Sequence, residues 1–350
     1  MADLATGGVV TVYTENGITY CVHKVLESGL FEVHQEMECD YILVGGGGAG
    51  GSSDGESRSG GGGGAGGLIQ GSKTLSPGIY PVTIGNGGVP AAAPNYGTNG
   101  EDSLAFGEAA IGGGSGASGD HSVREGRPGG SGGGGVRASG GAGTHPQGCD
   151  GGSGGLASGG GGWFGPGQDD DGGDGGPGLN EALTGESLGL AGGGGGGRNT
   201  PDGVSSATHG GGPALPDGTG AAGEPNSGGG GGGASRRDEN GVDASRLGGA
   251  GGSGVLVVRY IVPAQLTVSG VIKDENGNPC QRTVYAMSRP TDGSAPVLLA
   301  HGLSDPTTGA YELALPTGDE ITRVVVAEDS GNPGPNDPVL PDLVDRVIPG

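Results

Sequence analysis

The stretch from residue 45 to 254 is a long series of short glycine runs, and it limits what the whole chain can fold into. GGGGAGG stands at 45–51, GGGGGAGG at 60–67, GGSGGGG at 129–135, and GGGGGG at both 192–197 and 228–233. Polar inserts of changing length separate the runs, among them SSDGESRS, RNTPDGVSSATH and ASRRDENGVDASRL. With 93 glycines in 350 residues, this region builds no side-chain core. It builds no α-helix either, because each glycine costs about 1 kcal/mol relative to alanine.

Three states remain. A flexible linker is the plain one. Collagen fails, because the strict G-X-Y period is absent and the longest runs are pure glycine. The third is a bundle of extended, left-handed, three-fold helices of the polyglycine II type. Such helices have no internal hydrogen bonds and satisfy their backbones against one another. The recurrence of the runs and the turn chemistry of the inserts, TPDG at 200–203 and EPNS at 224–227, favour the bundle. A seven-residue run at ~3.1 Å per residue spans about 22 Å, a sensible thickness for a small domain. The inserts are then expected as loops collected at the two ends of the bundle, a binding surface on a rigid scaffold.

The rest of the chain is of another texture. Only 31% of residues are hydrophobic and 3% aromatic, concentrated toward the two ends, so structured modules should flank the glycine region. A formal charge of −23 speaks against nucleic acid and anionic membrane surfaces as partners. No apolar run is long enough to span a bilayer, and MADLATGG reads as no signal peptide, so synthesis in a cytoplasm is expected. Cys21, Cys39, Cys149 and Cys280 form no CxxC pair; free thiols are expected, with a Cys21–Cys39 bridge as the alternative.

Residues 9–44 alternate like strands, with hairpin turns at Asn16-Gly17 and Ser28-Gly29. Strand character returns over 68–85 and, in short pieces, over 103–111. It returns again in VLVVRYIV at 255–262. These pieces predict a small N-terminal β base, residues 1–44 completed by 68–111 and 255–262, with the glycine bundle at 45–254 as an insertion whose ends meet. YILVGGGGAGG imitates a dinucleotide-binding fingerprint, but SSDGESRSGGGGG cannot supply the helix that such a site needs. GSKT at 71–74 lacks the Walker spacing.

Residues 264–350 predict strands at 266–273, 282–289, 297–301, 310–315 and 322–329. Turns fall at DENG (274–277) and DPTTG (305–309). That spacing suggests a β-sandwich of the seven-strand type, so the fold class is all-β throughout. An EF-hand at 274–278 fails for want of the twelfth-position Glu and flanking helices.

YILVGGGGAGG, GGGAGGLIQGSKTLSPGIYPVTIGNGG, EDSLAFG, AIGGG and GGSGVLVVRYIV, in that order over about residues 10–262, resemble the glycine-rich domain of bacteriophage tail proteins. VSGVIKDENGNP and SDPTTGAYELALPTG resemble the carboxypeptidase-regulatory-like, immunoglobulin-like domains. The resemblance implies a virion component of the tail fibre or tail tip, with loops at the bundle tips contacting a host receptor. Its partners would be other tail or fibre proteins and a cell-surface polysaccharide, lipopolysaccharide or outer-membrane protein, in a chain able to form homo-oligomers. A head fibre or capsid decoration protein, a secreted bacterial adhesin, an ice-binding protein and an elastic tether are the competing readings.

Chemistry is sparse. Histidines 23, 34, 121, 145, 209 and 301 show no HExxH spacing, no GxSxG elbow is present, and no paired carboxylates mark a depolymerase. Neither catalytic residues nor cofactors nor a metal are expected. One insert stands out, GWFGPGQDDDGGD at 162–174, which holds the only tryptophan. Trp163 and Phe164 beside Asp169, Asp170 and Asp171 suit sugar or receptor recognition, a ring stacking while carboxylates accept hydroxyl bonds. The alternative is that the two rings plug the bundle against the base and the aspartates, with Asp174, are merely solvated. An acidic loop could also offer oxygen ligands to calcium, but no loop motif is present. Arg236 and Arg237, followed by Asp238 and Glu239, form the second candidate tip, able to pair with lipopolysaccharide phosphates or a capsule. A solvated charged turn is the bland alternative there.

Overall fold

Asn16 and Gly17 both take left-handed φ, 52° and 81°, the conformation a two-residue hairpin needs. They join β2 (Val9–Glu15) to β3 (Ile18–Val25), and β1 (Ala5–Thr6) precedes them in the computed structural model of the chain. The structure describes residues 4–56, 58–119, 124–198, 205–263, 267–273, 276–279, 281–288, 298–315, 322–327 and 342–344. The described chain is all-β and divides into units at 2–261 and 262–350.

In the first unit β4 (Gly29–Val33), β5 (Met37–Val44), β6 (Leu68–Leu75) and β7 (Gly78–Val82) follow. Two short hairpins, β8 (Ser103–Ala105) with β9 (Glu108–Ala110) and β10 (Leu179–Glu181) with β11 (Leu188–Leu190), precede β12 (Val255–Ile261). The main sheet runs β2-β3-β12-β5-β6, all antiparallel. Thus β12 lies between β3 and β5, and Val255 pairs with Val44. The glycine region leaves the sheet at Gly45 and rejoins it beside its own exit. A second sheet, β1-β4-β7, and the β8–β9 turn supply Phe31, Tyr80 and Phe106, whose rings meet edge to face at 5.6–5.7 Å. The other face of the main sheet buries Val22, Ile42, Val44, Val255 and Val257 with Leu68 and Leu190.

Cys21 and Cys39 are buried and form no disulfide with each other. Strand order explains the missing bridge: β12 lies between them, and two strand spacings come to about 9.5 Å, beyond the Cα separation a disulfide spans.

Glycine runs continue the sheet upward as straight columns. The central one, 60–67, shows what they are. Its N–H groups at 60, 63 and 66 donate to the carbonyls of 234, 231 and 228; those at 61, 64 and 67 donate to 117, 114 and 111; those at 62 and 65 donate to 158 and 161. Its carbonyls accept from 45, 48 and 51, from 131 and 134, and from 194 and 197. Every third residue faces the same neighbour, so the column is a three-fold helix with six neighbours, bonded at 2.7–3.0 Å. None of its glycines takes a left-handed φ, as the left-handed polyproline-type helix requires. A Cβ on Gly47, Gly50 or Gly62 would fall on the carbonyl of Gly229, Gly232 or Gly194. Glycine is needed there for close approach. Ala49, Ala65 and Ala117 mark the few places with room for a methyl group, and all are fully buried.

In the second unit β13 (Thr267–Val271), β14 (Thr283–Ser288), β15 (Leu298–Leu303), β16 (Ala310–Ala314), β17 (Thr322–Ala327) and β18 (Asp342–Val344) form two antiparallel sheets, β13-β16 and β15-β14-β17-β18. They share a core of Val284, Ala286, Leu313 and Leu315. Six strands are seen among the described residues where the spacing suggested a seven-strand type. The turn at 305–309 is an Asp-capped one: Asp305 accepts from the amides of Thr307 and Thr308 at 2.8 and 2.7 Å.

Candidate functional site

The direction of each column sorts every insert to one end or the other. The run 45–51 rises from β5 and 60–67 returns to β6, so 52–56 and 58–59 lie at an apex. The same bonding places the loops at 90–97, 137–139, 153–157, 169–172, 215–219 and 235–247 at that apical end, with the described column ends at 118–119, 124, 198 and 205. The turns at 102–111, 144–148, 163–165, 179–190 and 225–227 lie at the base. TPDG at 200–203 lies outside the described residues, whereas EPNS at 224–227 is a basal turn with Asn226 at φ 59°.

This separates the candidate insert 162–174 into two. Trp163 is basal: it packs on the core cluster that includes Ala65, Leu68, Leu190 and Ala191, and its backbone N–H donates to the Ala191 carbonyl at 2.9 Å. Phe164 lies next to it, 74% exposed, with ring centroids 6.3 Å apart. Asp169, Asp170 and Asp171 are apical, at the far end of a short column whose five-residue rise from Phe164 to Asp169 spans at most about 16 Å. The aromatic pair and the aspartates therefore stand at opposite ends of a column and do not form one compact cluster. Trp163 fills the plugging role between bundle and base; Phe164 does not, being open to solvent.

The carboxylates have a structural task of their own. In the outermost columns a facing carbonyl is often missing, and a side-chain oxygen takes its place. The Gly112 and Ser115 amides, three residues apart, donate to Asp102 and Asn99 at 2.7 and 3.0 Å. Those of Gly140 and Gly143 donate to Ser153 and Asp150, both at 2.8 Å. Asp169 accepts from the Ser153 amide at 2.7 Å and Asp174 from the Ser206 amide at 2.6 Å. An ionised carboxylate suits this position because it only accepts. Part of the acidity of the chain is thus lattice closure, a role that reading each insert alone does not reveal.

Arg236 and Arg237 stand on the apical loop 235–247, and neither guanidinium is idle. Arg237 makes two bonds to Asp243, at 3.0 and 3.2 Å. Its hydrogen bond holds the Asp243 carboxyl below the usual carboxylate range and raises the Arg237 pKa. Arg236 lies 3.3 Å from the same carboxylate and donates to the Glu56 carbonyl. Arg246, not singled out by its sequence context, donates to Asp238 at 3.1 Å and to the carbonyls of Arg236 and Val242. Asp238 in turn accepts from the Asn240 and Val242 amides. The loop is a closed ion-pair knot.

At the base, Tyr20, Glu38, Asp40, Ser72, Arg259 and Ile261 line an open cleft of about 380 Å³. Arg259 is engaged there: it donates to Asp40 at 2.7 Å and lies 4.8 Å over the Tyr20 ring. Among the described residues no three His, Cys, Asp or Glu side chains group as metal ligands, and no helix is long and apolar enough to cross a membrane. GSKT at 71–74 lies on β6, and no helix follows Gly45.

Residues 27–261 match a family described as a glycine-rich domain. No curated protein matches the chain.

Proposed function

We propose that this chain, which belongs to the glycine-rich domain family, is a non-enzymatic structural protein of a bacteriophage particle, in the tail fibre or tail tip, that recognises the host surface through its apical loops. One observation carries the reading: a rigid glycine lattice gathers irregular inserts at the end away from the sheet that anchors it. Loops of free sequence on an over-determined scaffold are how proteins present variable contact surfaces. A lattice whose interior tolerates almost no side chain lets those loops change without changing the fold. The N-terminal base and the 262–350 module, in this reading immunoglobulin-like, are left to dock other tail or fibre proteins.

The test is competition. Purified protein added to host cells should block adsorption of the particle, and protein with loops 215–219 and 235–247 replaced by short Gly-Ser turns should not. If the wild-type chain fails to bind cells while immunogold labelling places it on the capsid, the head-fibre or decoration alternative replaces this one.

A further inference from the structure

The main sheet has one edge that nothing among the described residues of the first unit closes. β2 is its outer strand and is paired on one side only, with β3. The two-residue Asn16-Gly17 turn makes Glu15 and Ile18 the hydrogen-bonded pair that closes the hairpin. Pairs then alternate along the ladder. Val9, Thr11, Tyr13 and Glu15 bond to β3, while the N–H and C=O groups of Val10, Val12 and Thr14 point away from it. Among the described residues none of those outward groups has a hydrogen-bond partner.

The other edges of this unit are closed. β6 carries Lys73, whose ammonium donates to the Phe106 carbonyl at 2.6 Å and lies 3.3 Å from Glu108. β1, at the edge of the second sheet, is two residues long. The outer glycine columns are capped by Asp102, Asn99 and Asp150. Short strands, charged side chains and covering segments are how sheets keep their edges from pairing at random. β2 has none of these. Its seven pairs with β3 run without a bulge, it holds no Pro, Lys or Arg, and its one charge, Glu15, stands at the end. Val9, Val10 and Val12 are 56%, 50% and 51% exposed.

A row of outward N–H and C=O groups specifies an extended strand as its occupant. β2 of a second copy fits it. Set antiparallel about a two-fold axis at Val12, the strand faces Val12 with Val12 of the second copy and Val10 with its Thr14. Each directly opposed pair then exchanges two bonds, about six in all. Centring the axis on Thr11 or Tyr13 instead would set Thr14 against Gly8 or Val10 against Asn16. Both of those are bent out of strand geometry, at φ 64° and 52°. The Val12 register also lays Glu15 opposite Val9 of the second copy, whose neighbour on β3 is Lys24. Two strand spacings, about 9.5 Å, separate that glutamate and lysine, a gap their long side chains reach across. Symmetry makes the contact twice, and no like charges are brought opposite each other.

We propose that two copies of this chain join edge to edge through β2, antiparallel about Val12, so that two five-stranded sheets become one. The join does not depend on the attachment reading above. One pair of short strands buries less than a standard interface does, so the dimer belongs to the weak class that forms at high local concentration.

The experiment is sedimentation equilibrium of the full chain from about 1 to about 500 µM, with amide exchange of residues 9–15 read at both ends of that range. The mass should rise from one chain to two, and the amides of Val10, Val12 and Thr14 should slow as it does. Val12→Pro removes two of the new bonds and spares those to β3, so it should raise the dissociation constant at least ten-fold. Val10→Lys puts a charge on the edge and should act the same way. Leu30→Lys, at a position 63% exposed on the second sheet, should leave the mass as in wild type. Wild-type exchange in the glycine columns shows that a variant is folded; should Val12→Pro lose it, Val10→Lys decides alone. A single-chain mass at every concentration overturns the proposal, as does a trimer, which a two-fold join cannot build. A dimer that survives Val10→Lys, or that forms while residues 9–15 exchange freely, uses another surface and overturns it too.

Discussion

Gly62→Ala should strongly destabilise the lattice. Gly62 sits in the middle of the central column. A Cβ there would meet the carbonyl of Gly194 and the amide nitrogen of Gly160, all backbone, inside the 3.0 Å below which real Cβ contacts are not found. Overpacking a core costs about 1–3 kcal/mol when side chains can yield. Here nothing can yield but whole columns, so the upper end applies. Moving the column strains the bond from Gly62 N–H to Ser158 at 3.0 Å and that from Gly134 N–H to Gly62 at 2.8 Å, each worth about 1 kcal/mol. The expected loss is about 3–5 kcal/mol, out of a total of about 5–15 kcal/mol for a typical domain. Gly29→Ala is the control, since no heavy atom lies within 4 Å of its added Cβ. It should change stability by less than about 1 kcal/mol. Guanidinium unfolding followed by the fluorescence of Trp163, the sole tryptophan, reads the joint between column and base. If Gly62→Ala unfolds within 1 kcal/mol of Gly29→Ala, the columns are not packed at backbone contact.

Other perturbations probe the edges and the base. Asp102→Ala leaves the buried Gly112 amide without its acceptor and should cost about 1–3 kcal/mol in denaturant unfolding, whereas Asp102→Asn keeps an oxygen there and most of the stability. Ser131 carries a buried hydroxyl with no partner, so Ser131→Ala should leave the thermal midpoint unchanged or raise it; a clear fall would show that the hydroxyl is bonded. Burial pushes the Asp40 carboxyl up, but hydrogen bonds from Arg259 and Ser72 outweigh it, and its pKa stands below the ordinary value. A folded pKa below the unfolded one gives stability that is present above about pH 4 and lost as pH falls through the folded value. Asp40→Asn should therefore flatten the acid limb of a stability-against-pH curve below about pH 4 and leave its shape at neutral pH alone.

Much of the fold is legible in the sequence because its signals are local. Asn16-Gly17 dictates a hairpin, the length of each glycine run matches a column, and the apolar VLVVRYIV closes the sheet beside YILV. What is not legible depends on which way each column runs. Trp163 and Asp169 are six residues apart and read as one insert, yet a rising column between them places them at opposite ends. The use of Asp102, Asn99 and Asp150 as substitutes for carbonyls needs the neighbour of each outer column, which only the assembled lattice defines. The hairpin at 179–190 carried a weak signal in Leu179, Leu188 and Leu190 around Thr184-Gly185, hidden by the glycines on either side. Arg236 and Arg237 were found as an apical pair, but the partners that neutralise them, Asp243 above all, follow from the fold of the loop.

The most direct test of the central claim is amide hydrogen exchange of the purified chain, resolved along residues 45–254. With the columns formed, the amides of 45–51 and 60–67, all bonded to neighbouring carbonyls, should be protected to nearly the global stability, while the open apical loops exchange fast. Exchange of both runs at random-coil rates would contradict the lattice and leave the glycine region a tether.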